Sequence, residues 1–216
     1  MPGRACIADL RRDYRAKKAA ITARLAEFQT VYEKGDRAVF EELCYCILTA
    51  GSSAKMGMRT VEALRDLLQS GKREDLVRCA RDNRVRFWRV RPTYIFHTRE
   101  YLQRHCGMKL RDLLQTFDPV ARRDFLAKNK EIKGLGYKEA SHFLRNIGFR
   151  GYAILDKHIL NSMREMGIIT RRMRPNTRKS YLEIEKRLAR FAKETGIDMD
   201  HLDLLLWSRK TGEILK

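Results

Sequence analysis

The chain has 216 residues and carries 46 Lys and Arg against 27 Asp and Glu, a formal net charge of +19, with 44% hydrophobic residues. That length holds one or two domains with a sizeable apolar core, and aliphatic and aromatic residues spread along the whole chain exclude global disorder. A surplus this large raises self-repulsion in the compact state and calls for a polyanionic partner, nucleic acid first and an anionic membrane surface second.

The N-terminal MPGRACIADLRRDYR lacks the unbroken apolar stretch of a signal peptide, and no apolar run approaches the roughly 18 residues that a bilayer span needs. A soluble, intracellular protein without a membrane association is expected. Apolar residues recur at spacings of three and four almost throughout, which predicts an all-α fold of roughly ten helices. Tyr14, Ile21, Leu25, Phe28 and Tyr32 share one face of a long first helix, which Gly35-Asp36 breaks. Asp36 is suited to cap the next helix, with Val39, Phe40, Leu43, Ile47 and Leu48 buried. Cys44 and Cys46 lie in this apolar segment. With Cys6, Cys79 and Cys106 they form no C-x-x-C pair, zinc-finger spacing or iron–sulfur cluster pattern, so neither a disulfide framework nor a metal is expected.

The loop Gly51-Ser52-Ser53 follows, and Ser53 can cap a helix bearing Val61, Leu64, Leu67 and Leu68. Shorter helices are predicted near 73–82, 93–105 and 109–116. The cluster RVRFWRVRPTYIFHTR interleaves arginines with Phe87, Trp88, Tyr94 and Phe96. It reads either as cations and a wedge aromatic presented to nucleic acid or, for Tyr94, Ile95, Tyr101 and Leu102, as core at helical spacing. Asp118-Pro119 starts a helix over 119–128, with a capping side chain and proline in the first turn.

The segment IKGLGYKEA then places Gly134 and Gly136 around one apolar residue, directly before a helix with Ala140, Phe143, Leu144 and Ile147 inward. Helix, tight Gly-x-Gly turn, helix suits a nucleic-acid backbone. Glycines allow positive φ and close approach of main-chain N–H groups to a phosphate, and the second helix offers its positive end. A plain compact helix–helix turn is the alternative. Lys138, in the first turn of the second helix, opposes the helix dipole. That field, with burial, would favour a neutral, nucleophilic amine, although a surface lysine near phosphate has the same signature. The connector FRGYAILD leads, strand-like, to Asp156 at the start of a helix near Lys157, where an N-cap is its ordinary role. His142 and His158 lack the partners of a metal site, and packing or phosphate contact suits them better. The basic run RRMRPNTRK at 171–179 reads as a nucleic-acid-facing or simply solvated loop, before two last helices near 176–194 and 200–208.

Helix–hairpin–helix, Gly134-Leu135-Gly136-Tyr137-Lys138, Gly148, a connector and Asp156 together resemble the helix–hairpin–helix/Gly-Pro-Asp superfamily of DNA glycosylases. LDKHIL and the tail WSRKTGEILK are most similar to its archaeal-type second family of 8-oxoguanine DNA glycosylases. The resemblance, from about Phe40 to Lys216, implies that Lys138 attacks C1′ of the damaged nucleoside. It implies that Asp156 supports proton transfer and the positive charge developing on the sugar. Trp207 and Lys216 would help form the pocket for an extruded base, and Gly134 and Gly136 would bind the DNA backbone. Lys133 stands where many members have proline, and Gly51 stands where related sequences often present asparagine or another polar side chain near the lesion.

The resemblance implies a monomeric glycosylase and lyase of the cytoplasm or nucleoid that needs no cofactor or metal. It would flip 8-oxoguanine out of duplex DNA, release it through a lysine Schiff base and nick the strand by β-elimination. The same chemistry on an oxidised pyrimidine or mismatch, or a non-catalytic DNA-binding module, are the alternatives. The expected architecture is two helical lobes with the active site in the cleft between them. One lobe would span 37–154, with the helix–hairpin–helix at about 119–148, and the other 1–36 plus 155–216.

Overall fold

The structure, a computed structural model, describes residues 4–215, with side chains from Cys6 onward. It is all-helical among the described residues. Eleven helices run in order: α1 (Arg4–Glu33), α2 (Asp36–Thr49), α3 (Ala54–Leu68), α4 (Arg73–Asp82), α5 (Arg91–Cys106), α6 (Leu110–Gln115), α7 (Pro119–Lys128), α8 (Tyr137–Asn146), α9 (Lys157–Glu165), α10 (Arg178–Thr195) and α11 (Met199–Thr211). No helix among the described residues is long and apolar enough to cross a membrane.

The chain forms two compact units, Gln29–Ile147 and Met1–Phe28 with Gly148–Lys216. The divisions fall ahead of the expected boundaries at 36/37 and 154/155. Gly35 ends α1, but the last turn of α1 already belongs with the following helices: the Tyr32 hydroxyl donates to the carbonyl of Arg111 at 3.0 Å. At the second division, residues 152–155 are buried and bonded to α10 and α11.

In the unit of residues 29–147, α2 is the central helix. Nearly every residue from Val39 to Thr49 is buried, and α2 packs on α3, α5, α6 and α8. Asp36 is not the cap of α2 that its position suggested. Gly35 holds the N-cap with φ 99°, and Asp36 Oδ1 instead accepts the backbone N–H of Arg111 at 2.8 Å, tying α2 to α6. Ser53 caps α3 through the N–H of Met56, and Asp118 caps α7 through the N–H groups of Val120 and Ala121, with Pro119 in the first turn. A charge also hides here: Arg99, 6% exposed, donates to the carbonyls of Leu67, Leu68 and Gly71 and so closes the end of α3.

In the other unit, α11 packs on α9 and α10. Leu10, Ile21 and Leu25 of α1 join a core with Ile159, Met163, Tyr181, Ile184, Leu188, Leu202 and Leu205. Polar contacts hold α1 along this face: Tyr14 Oη meets His201 Nδ1 at 3.0 Å and Lys17 donates to Ser208 Oγ at 3.1 Å.

Candidate active site

The α7–α8 hairpin is built on α5. Thr98 Oγ1 accepts the N–H of Lys133 at 3.0 Å, and the Tyr101 hydroxyl accepts from Asn129 at 2.8 Å. Across the hairpin the Tyr137 hydroxyl donates to Asp124 Oδ1 at 2.7 Å. Gly134 has φ +81°, and a Cβ there would lie 2.8 Å from Tyr94 Cδ2 and 3.1 Å from Arg91 Nη1. Both the turn and the close packing therefore require glycine at this position. Gly136 does not use the positive φ that glycine allows. It is the N-cap of α8 with φ −100°, and a Cβ there meets only Glu139 Oε2, at 3.5 Å. No conformational demand makes it glycine. Its exposed position before an α8 that no side chain caps leaves first-turn N–H groups open to an outside acceptor.

Lys138 is half-buried in that first turn, and among the described residues its charge partner is the adjacent Glu139, with Nζ 3.8 Å from Oε1. His142, one turn on, is buried with its ring edge-on to Tyr45 at 5.8 Å, which is packing. Cysteine is no rival nucleophile at Cys44, where burial and then Glu41 push the thiol well up, nor at Cys79 and Cys106, which burial also raises.

In the same unit the arginine–aromatic cluster separates. Ile95 and Leu102 are core, whereas Phe87 is 45% exposed and stands in the left-handed region with φ 63°. Arg86 stacks over the Phe87 ring at 4.8 Å and donates to the carbonyl of Gly51 at 2.8 Å. Arg91 donates to the carbonyl of Ala50 at 3.2 Å. A bulky residue held at positive φ is strained, and strain of this kind gathers at functional sites.

In the unit of residues 1–28 and 148–216, Asp156 is the N-cap of α9. Its Oδ1 accepts the N–H groups of His158 and Ile159, both at 2.8 Å, and among the described residues Oδ2 has no such partner. One oxygen caps and the other is open. The His158 ring meets the Trp207 indole edge-on at 6.5 Å, so Trp207 stands beside the helix that Asp156 begins. Lys216 lies outside the described residues. The run at 171–179 is largely exposed, with Arg171, Arg172, Arg174, Arg178 and Lys179 all at the surface. Among the described residues no three His, Cys, Asp or Glu side chains are grouped to hold a metal ion.

Lys138, Gly134 and Gly136 thus gather on one unit, and Asp156 and Trp207 on the other. The side chains that bond the connector ahead of Asp156 (Tyr181, Glu185, Asp200 and Asp203) were not singled out in the sequence. The signal for Tyr181 was its place on the apolar stripe with Ile184 and Leu188. Arg86 and Arg91 stand in the sequence only as members of the arginine–aromatic cluster, with no sign of their bonds to the carbonyls of Gly51 and Ala50.

An all-α chain with a glycine turn between α7 and α8 and an uncapped second helix is a helix–hairpin–helix protein. The chain belongs to the 8-oxoguanine DNA glycosylase family, whose sequence pattern matches residues 21–197. It is 40% identical over 197 residues to the 8-oxoguanine DNA glycosylase/AP lyase of Korarchaeum cryptofilum, covering 91% of this chain and 90% of that one. The crystal structure of Methanocaldococcus jannaschii 8-oxoguanine DNA glycosylase superposes with a TM-score of 0.89 at 35% identity, over 98% of this chain and 96% of that one. A second structure of the M. jannaschii 8-oxoguanine glycosylase/lyase, in complex with 15mer DNA containing 8-oxoguanine, also gives 0.89, at 34% identity, covering 98% and 100%.

Proposed function

We propose that this protein removes 8-oxoguanine from duplex DNA and nicks the strand, as a glycosylase and AP lyase, with Lys138 as nucleophile. The carrying observation is the lysine in the first turn of α8, directly after the Gly134 turn. A cation there opposes the helix dipole and subtracts from stability. Its one charge partner among the described residues is its neighbour at 3.8 Å, which leaves the amine available for chemistry. The hairpin N–H groups and the basic surface supply grip on phosphate without reading sequence. Phe87, exposed and braced by Arg86, fills the stack when the damaged nucleotide leaves it.

The Lys138 amine attacks C1′ through its nitrogen lone pair. The C1′–N9 bond breaks with its electron pair leaving on the base, which takes up a proton; nitrogen then loses protons as the sugar ring opens, the C1′–O4′ pair leaving on O4′, which is protonated, and the C=N bond of the Schiff base forms. Removal of a C2′ proton then expels the 3′ phosphate, and water releases the lysine. Asp156 keeps its cap through Oδ1 and turns Oδ2 to the positive charge developing on the sugar. Trp207 and Lys216 are assigned to the base pocket. One chain carries both chemical groups, so the chemistry asks for no second subunit; we read the protein as a monomer acting inside the cell on nucleoid DNA.

Borohydride added during reaction with an 8-oxoguanine duplex should trap one covalent adduct, and Lys138→Gln should abolish it. An active protein that traps nothing overturns the covalent route. Salt-sensitive binding with no base release, unchanged by Asp156→Asn, would leave only a DNA-binding module.

A further inference from the structure

The connector ahead of Asp156 is neither helix nor strand, so no ladder pairs its peptide groups. Tyr152, Ala153, Ile154 and Leu155 are all buried, and buried peptide groups must be bonded somewhere. Side chains of α10 and α11 do the work of a neighbouring strand. The N–H of Gly151 reaches both oxygens of Asp200 at 3.2 Å, that of Ala153 reaches Glu185 Oε2 at 2.9 Å, and that of Ile154 reaches Asp203 Oδ1 at 3.4 Å. Nearest to Asp156 stands Tyr181, whose hydroxyl donates to the carbonyl of Ala153 at 2.7 Å and accepts the N–H of Leu155 at 3.3 Å. One oxygen thus locks the peptide groups on either side of Ile154. The chain then turns tightly, with the N–H of Asp156 on the carbonyl of Ile154 at 2.7 Å, into the cap of α9.

We infer that Tyr181 and Glu185 are positioning residues for the reaction, fixing where the open oxygen of Asp156 stands. This rests on the role proposed for Asp156. Generic packing would not need the pattern seen here. Glu185 holds the Ala153 N–H at 2.9 Å, within the range of charge-assisted bonds, and Tyr181 uses both the donor and the acceptor capacity of its hydroxyl on the residues before Asp156. A backbone held this way cannot slide without leaving buried groups unpaired. A misplacement on the order of 1 Å at a reacting group is enough to cost two decades in rate.

Tyr181→Phe removes only the hydroxyl. Single-turnover base release from an 8-oxoguanine duplex, with enzyme in excess, is expected to slow about tenfold while DNA affinity holds within about twofold. The deciding measurement repeats the substitution in an Asp156→Asn background, followed to the longer times that variant needs. There Tyr181→Phe should add no further slowing, because the group it positions is gone. Slowing by the same factor in both backgrounds, or none in the first, overturns the inference. Should Tyr181→Phe fold poorly, the pair Glu185→Gln and Glu185→Ala takes its place. The glutamine, which keeps an acceptor for Ala153, should recover most of the rate lost in the alanine, and equal rates overturn the inference. Failure of the glycosylase reading itself would show separately, as no base release by the unsubstituted protein.

Discussion

A Cβ on Gly134 would lie 2.8 Å from Cδ2 of Tyr94, so the hairpin turn and α5 touch where only a glycine fits. Gly134→Ala must also hold a left-handed φ of 81°, which costs an L-residue about 1–2 kcal/mol before any clash. Urea unfolding should show at least that loss. Gly136→Ala, at φ −100° and with only an ordinary contact to Glu139 Oε2 at 3.5 Å, should unfold within about 0.5 kcal/mol of the parent. Because Gly136 is the N-cap of α8, beside the first-turn N–H groups proposed to meet phosphate, titration with duplex DNA should show weakened binding.

Asp156 lets stability be separated from the proposed chemistry, because Oδ1 caps α9 and Oδ2 has no such partner among the described residues. Asn and Ser are good N-caps, so Asp156→Asn and Asp156→Ser should change stability by only a few tenths of a kcal/mol, and Asp156→Ala should lose about 1 kcal/mol. All three lose the carboxylate and should lose most base release. Thermal melts beside single-turnover assays distinguish the two effects, and a serine variant with normal rates would remove Asp156 from the mechanism.

Phe87 is exposed and held at a positive φ. Asparagine adopts its φ of 63° more readily than phenylalanine does. Phe87→Asn should therefore keep stability within about 1 kcal/mol while slowing base release from a paired duplex. Release from a single strand or a mispaired lesion, where less unstacking is required, should suffer less.

His201 sets a pH limit on the unit that holds Asp156. Burial holds its imidazole below the ordinary 6.5, opposed by Asp198 and aided by Arg150 and Lys18. The unfolded chain takes up this proton first as pH falls. The neutral ring's contribution is therefore complete above 6.5 and is lost progressively below it, until the native histidine protonates as well. His201→Gln, which keeps an acceptor for Tyr14, should flatten that part of a melting-temperature profile.

The surface run at 171–179 provides a count of phosphate contacts. Neutralising Arg172 and Arg174 should lower the slope of log affinity against log salt by about 1 for each residue that touches phosphate, with no change in lesion preference. An unchanged slope makes the run solvated charge.

Much of this molecule was legible in one dimension. Helix periodicity, the caps at Ser53, Asp118 and Asp156, and the Gly-x-Gly turn all depend on residues within four positions of one another, and a linear reading reaches that far. The net charge of +19 pointed to a polyanion, and the hairpin with Lys138 narrowed that to DNA chemistry. Tertiary structure decided what distant partners control. Asp36 is drawn from a cap to Arg111, 75 residues away; Arg99 goes inside because the end of α3 needs its donors. Only one of the two hairpin glycines proves to be held by φ and contact, and Phe87 is the cluster aromatic left outside. The connector shows the reason most clearly. Its apolar letters predict an extended, buried segment, but which groups satisfy its peptides depends on Tyr181, Glu185, Asp200 and Asp203 folding back from 26 to 49 residues further on. Hydrogen bonds of that range have no period along the chain, so they appear only once the helices that carry them have packed.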